Sequence, residues 1–175
     1  MAAAIGIIAR QGLDAPTALI AKEAGVANGS LFNYFETKGE LFNQLFLELK
    51  LEAVSLATDE LLPDTDLKEQ AFHVWSHWMK WAISYPEKRK ALAQLSVSDE
   101  ITATSHISAH QSLSSVRDLI ARICAGGPLH EERMSFIMAI VESLSGTTMD
   151  FMIRYPDEAE KRCAAGFAIL WKALT

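Results

Sequence analysis

The chain of 175 residues holds only two cysteines, five prolines and nine glycines, and each scarcity excludes something. Cys124 and Cys163 are far apart and in no CxxC spacing, so a reduced, cytosolic setting is the simpler reading; a single disulfide between them stays open. Few prolines and glycines in a half-hydrophobic composition exclude a sandwich of short strands and favour an all-α fold. Positive charge is also short: the net charge is -6 and the isoelectric point near 5.3, which leaves no global basic footprint for nucleic acid or anionic lipid. Any contact with DNA must then be local. No apolar run approaches about twenty residues, so no spanning helix is expected. The opening MAAAIGII lacks a basic n-region and is soon followed by Arg10 and Asp14, unlike a signal peptide. HExxH, a nucleophile elbow and a phosphate loop are missing too, so neither an enzyme nor a cofactor is expected.

What is present is helical periodicity. Ile5, Ile8 and Ala9 place a first helix over Ala2 to Gln11, ended by Gly12. Pro16 and Thr17 signal a second start, with Thr17 as cap, running through Ile20, Ala21 and Ala24 to a stop at Gly25. A third short helix is expected over Asn28 to Tyr34. Lys38-Gly39-Glu40 opens a long fourth helix with Leu41, Leu45, Leu49 and Leu56 on one face, beside Phe42 and Phe46, until Pro63. Ala125 to Pro128 is the clearest later break, and YPDE starts the last helix.

Two short helices joined across a glycine-containing turn match the helix-turn-helix, whose second helix enters the major groove. The string TALIAKEAGVANGSLFNYFETKGEL, Thr17 to Leu41, resembles the head of the TetR family of bacterial transcriptional regulators in order and spacing. The resemblance implies a head over residues 1–46, and a ligand-binding and dimerisation body over 47–175. It places Ile20, Ala21, Ala24, Val26 and Leu31 inward. It also implies DNA-facing roles for Thr17, Asn28, Gly29, Ser30, Phe32, Asn33, Tyr34 and Lys38. Gly29 lets the backbone lie close to DNA, Ser30, Tyr34 and Lys38 reach phosphate or a base edge, and the Asn28 and Asn33 amides suit adenine. Phe32 either touches a thymine methyl or packs inward. Three departures stand against tight backbone binding: Ala27 replaces the usual hydroxyl cap, Phe32 a common tyrosine, and no basic arm precedes the first helix. From Met1 to Lys50, Arg10, Lys22, Lys38 and Lys50 face Asp14, Glu23, Glu36, Glu40 and Glu48, a net charge of -1.

In the body, Phe72, Trp75, Trp78, Met79 and Ala82 share one face of a helix from about Leu67 to Tyr85, with Val74 and Trp81 widening the arc. This face suits a packed core or a cavity for a flat, apolar ligand. His106, His110, Leu113 and Met138 are added as candidate pocket residues. The helix after Pro128 is apolar nearly all round and needs cover on both sides. By family resemblance it forms, with the last helix, a homodimer interface that includes Ile140, Leu144, Phe151, Phe167, Leu170 and Trp171.

The resemblance implies a cytoplasmic, ligand-responsive repressor that binds a palindromic double-stranded DNA operator as a homodimer; the aromatic face suggests that the small molecule that releases it is partly apolar or aromatic. Two other classes stay open. One is a helical interaction protein that keeps the scaffold without DNA binding, favoured by the acidic head. The other is a metal sensor using His73 with His77 or His106 with His110, each at i, i+4 spacing. Lys80 would repel a cation at the first pair, so solvent-facing imidazoles are the simpler reading there.

Overall fold

A computed structural model describes residues 1–59 and 65–175. Its described residues form ten α-helices and one short 3-10 turn, and no strand: α1 Ala2–Gln11, α2 Thr17–Glu23, α3 Asn28–Leu31, α4 Lys38–Thr58, α5 Leu67–Ser84, α6 Pro86–Ser96, α7 Ala103–Ser112, α8 Ser114–Cys124, α9 Met134–Arg154 and α10 Ala159–Leu174. The all-α expectation stands. The chain folds as two units, Met1–Glu52 with Tyr85–Gln111, and Ala53–Ser84 with Ser112–Thr175. The first unit therefore takes in α6 and α7 in addition to the helix-turn-helix head.

In the first unit, α1 buries Ala4, Ile5, Ile7, Ile8 and Ala9 and packs most extensively on α6, which buries Ala91, Leu92 and Leu95. Gly12 ends α1 at φ 85°, a left-handed conformation that glycine adopts without a Cβ penalty. From α4 the unit buries Leu41, Phe42, Leu45, Phe46 and Leu49 almost completely. Asn43 fixes this helix to the segment that enters α7. Its amide nitrogen donates to the carbonyls of Gly39 and Glu100, both at 2.7 Å, while its amide oxygen accepts from Thr102 N–H at 2.9 Å. Lys88 closes a half-buried ion pair with Glu52 at 2.6 Å.

The fourth-helix face departs from expectation at its end. Leu56 is exposed, and Ala53 and Ala57 are the buried positions. The helix ends at Thr58; Pro63, the expected stop, lies outside the described residues.

In the second unit, α9 packs on α10 and α5, and α5 also meets α8 and α10. Trp75 on α5 donates its indole N–H to the Cys163 carbonyl on α10 at 3.0 Å. Gly166 permits this approach: a Cβ there would lie 2.6 Å from Thr148 Oγ1 and 2.9 Å from Trp75 Cζ2. The α9 helix buries Ile137, Met138, Val141, Ser145, Thr148, Met149 and Met152, while Phe136 and Phe151 are exposed. The expected cover on both sides is therefore supplied by the chain on one side only. By length and composition α9 is apolar enough to cross a membrane, against the reading of the sequence, but its seated face makes it a core helix.

Cys124 and Cys163 are free thiols, and burial pushes both thiols up in pKa. Valine at position 166 must push Thr148 and Trp75 aside, and overpacking of this kind costs about 1–3 kcal/mol. Urea unfolding of Gly166→Val is expected to show a lower midpoint with an unchanged slope; an unchanged midpoint would show that the α5–α9–α10 junction has slack.

Candidate nucleic-acid interface

The α2 helix begins at Thr17, but its N-cap is Pro16, at φ -63° and ψ 141°, and no side chain caps it. The proline ring fixes the backbone angle that the cap position needs, which moves Thr17 into the first turn. The helix ends in a Schellman motif: Gly25 takes φ 71°, its N–H bonds the Lys22 carbonyl at 3.1 Å, and Val26 N–H bonds the Ala21 carbonyl at 3.0 Å. This reversal changes which way the residues around it face. Ile20, Ala21 and Leu31 are buried as expected, but Ala24 is exposed and Val26 is 42% exposed. Both were expected to face inward.

The α3 helix is shorter than Asn28 to Tyr34, because α-helical bonding stops at Leu31. Turn bonds carry the chain on, with Asn33 N–H to the Ser30 carbonyl at 3.2 Å and Tyr34 N–H to Leu31 at 3.1 Å. Along this segment Asn28, Gly29 and Asn33 are exposed and Ser30 is half-buried, while Phe32 is 43% and Tyr34 76% exposed. Phe32 is thus outside the core, and Phe35 is half-buried, whereas Phe42 and Phe46 are wholly inside.

The start of α4 carries a capping arrangement. Glu40 N–H donates to Thr37 Oγ1 at 3.0 Å, and Glu36 N–H donates to Glu40 Oε2 at 2.6 Å. Sequence reasoning left Thr37 and Glu40 without this role, although the Thr-x-x-Glu spacing signals it. Lys38 is half-buried, with its Nζ 5.4 Å from the centroid of the Phe42 ring. Arg10 is held by carboxylates, Glu23 at 2.9 Å and Glu87 at 3.6 Å.

The second unit holds a cavity of about 30 Å³ lined by apolar and aromatic side chains, with Trp75, Trp78, Phe167 and Trp171 as its rings. Only Trp75 and Trp78 of the expected pocket residues line it. Met79, Leu113 and Met138 are buried elsewhere, and Phe72 is partly exposed with its ring edge-on to Phe167 at 5.0 Å. His106 and His110 belong to the first unit. The chain breaks between α7 and α8 at Leu113, so this pair is not continuous with the Val116 and Ile120 face. His106 instead meets Phe46 edge-on at 5.3 Å, and His110 is exposed.

Three of the residues expected at the dimer interface, Phe167, Leu170 and Trp171, line the cavity, because they lie on the inward face of α10. Ile140 and Leu144 are half-buried and Phe151 is exposed. His73 and His77 are half-buried and stacked with centroids 4.0 Å apart; each ring has a nitrogen 2.7–2.9 Å from a backbone carbonyl, of Asp59 and His73 respectively. Among the described residues no three metal-ligating side chains converge.

Residues 1–45 match the family model described as bacterial regulatory proteins, tetR family. Along nearly its whole length the chain is similar to crystal structures of regulators. One, assigned to the tetR family of transcription regulators from Shewanella sp. PV-4, is 28% identical over 99% of this chain and 94% of that one, with a TM-score of 0.89. A TetR family transcription regulator from Marinobacter aquaeolei VT8 shares 16% identity over 99% and 92%, at a TM-score of 0.84. The transcriptional regulator FadR from Bacillus subtilis, in complex with stearoyl-CoA, shares 17% over 99% and 95%, at 0.71. At such low identity these last two speak for the fold.

A Cβ at Gly29 would meet nothing within 4 Å, so packing within the protein does not require glycine there. Alanine is favoured over glycine within a helix by about 1 kcal/mol. The Gly29→Ala variant is expected to melt at or slightly above the parent temperature while binding its DNA more weakly; unchanged binding would remove the close backbone approach.

Proposed function

We infer, from a chain that carries a tetR-family head on the fold of TetR-family transcription regulators, that this protein is a ligand-responsive repressor. It acts in the cytoplasm as a homodimer on a palindromic operator and catalyses no reaction. The observation that carries this reading is the exposed row of Asn28 and Gly29 on the short α3 and Phe32, Asn33 and Tyr34 in the turn that follows it, braced by a buried α2 seam. In a two-fold dimer two such helices enter successive major grooves about 34–36 Å apart. Residues 1–46 serve as the DNA-binding domain and 47–175 as the ligand-binding and dimerisation domain. Ser30, Tyr34 and Lys38 supply backbone contacts, and Thr17 adds one from the first turn of α2.

Dimerisation uses the uncovered face of α9 with α10. Phe136, Ile140, Leu144, Phe151 and Ile169 are exposed or half-exposed there and suit burial against a second copy. The effector enters the cavity beside Trp75 and Trp78. At about 30 Å³ the cavity is small beside the roughly 150 Å³ that holds a benzene, so an effector must widen it. An apolar or aromatic molecule suits the lining. Its entry shifts α4, which contributes residues to both units, and changes the separation of the two heads in the dimer. The head's net charge of -1 keeps one rival reading alive, a dimeric interaction protein that no longer binds DNA.

Fluorescence anisotropy with duplex DNA from upstream of the protein's own coding region, beside a scrambled duplex, separates the two. Saturable, sequence-selective binding is expected, weakening with salt on a shallow log–log slope of about -2, from Lys38 of each head. The double variant Asn33→Ala, Lys38→Ala is expected to lose selective binding while sedimenting as the same dimer. Binding retained by that variant, or no selectivity in the parent, would refute the assignment.

A further inference from the structure

We propose that the base pairs read by the Val26–Tyr34 segment are A·T pairs, with thymine methyls and adenine edges as the recognised groups. This rests on the regulator reading above and goes beyond it by naming the sequence chemistry of the operator. The segment, Val-Ala-Asn-Gly-Ser-Leu-Phe-Asn-Tyr, has no charged side chain of either sign. Arginine and lysine are the side chains that read guanine O6 and N7, and aspartate and glutamate accept from the cytosine amino group. The segment therefore lacks the strong readers of a G·C pair on both strands.

It has readers for the other pair. Asn28 and Asn33 are exposed, and among the described residues neither side-chain amide is engaged in a hydrogen bond within the chain. A free carboxamide can donate to adenine N7 and accept from adenine N6 in bidentate fashion. Val26, Ala27 and Phe32 are exposed apolar groups on the same stretch, and a thymine C5-methyl is the apolar feature that the major groove offers them. Asn28 stands in α3 and Phe32 and Asn33 in the turn that follows it, so amide and apolar readers alternate along one exposed stretch. The exposure of Val26 follows from the left-handed Gly25 turn, and that of Phe32 from the end of α3 at Leu31.

The test is selection of random-sequence duplexes by the full-length protein, followed by affinity measurement on the enriched site with deoxyuridine in place of single thymidines. An enriched half-site with A·T pairs at the contacted positions is expected. Removing the methyl at a contacted thymine is expected to weaken binding about fourfold, and Phe32→Ala or Val26→Ala is expected to abolish that sensitivity at its own position. Asn33→Ala is expected to lose about five- to hundredfold of the discrimination at one adenine. A G·C-rich enriched half-site, or affinity indifferent to every uracil in the parent, overturns the proposal while leaving the regulator reading intact. Enrichment of no sequence at all overturns both.

Discussion

Burial of one face of α4 is the constraint on which the head depends. Leu41, Phe42, Leu45, Phe46 and Leu49 are almost fully withdrawn from water, and each such side chain contributes about 1.5–3 kcal/mol. Their placement sets the rotation of the helix, and with it the position of Asn43 and the place of Lys38 in the first turn. The Thr37–Glu40 capping arrangement fixes where that first turn begins. The α2–α3 pair has a far thinner seam of Ile20, Ala21 and Leu31, so it relies on the rest of its unit for a defined shape.

Charge is used sparingly in this head. Arg10, which would otherwise be available to phosphate, is paired with Glu23 and Glu87, and the Lys38 ammonium lies over the Phe42 ring. A protein short of phosphate contacts has less sequence-independent affinity, so its discrimination must come from base edges and shape complementarity. The exposed, uncharged stretch from Val26 to Tyr34 is suited to that division of labour. In the body the cavity lining is aliphatic and aromatic, and Trp75 gives its N–H to the Cys163 carbonyl. A ligand there would be bound mainly through apolar area.

How much was legible in the sequence depends on the range of the interaction. Gly12 and Gly25 end their helices where the sequence puts those ends, because a left-handed residue is a local backbone requirement. Facing was not legible: the family pattern puts Ala24 and Val26 inside, but Ala24 is the C-cap of α2 and Val26 follows the left-handed Gly25, and both are exposed. Leu56 illustrates a related limit, since period alone does not say where along a long helix the buried partner changes. The Asn43 clamp joins residues more than fifty positions apart and leaves no periodic trace. The aromatic cavity was half legible. Trp75 and Trp78 announced it from α5, but Val116, Leu119, Ile120 and Leu174 complete it from helices whose packing partners only the fold reveals. The His106 and His110 pair was placed on the wrong side of the α7–α8 break for the same reason.

The proposed reading rests on the uncharged stretch from Val26 to Tyr34 being the DNA-reading surface. Hydrogen–deuterium exchange of the intact protein, with and without its enriched duplex, tests it most directly. Slower exchange of peptides within Thr17 to Glu40, most marked from Val26 to Tyr34, is the result expected when DNA is present. Protection that falls elsewhere, with those peptides exchanging as fast in the complex as in the free protein, would contradict it.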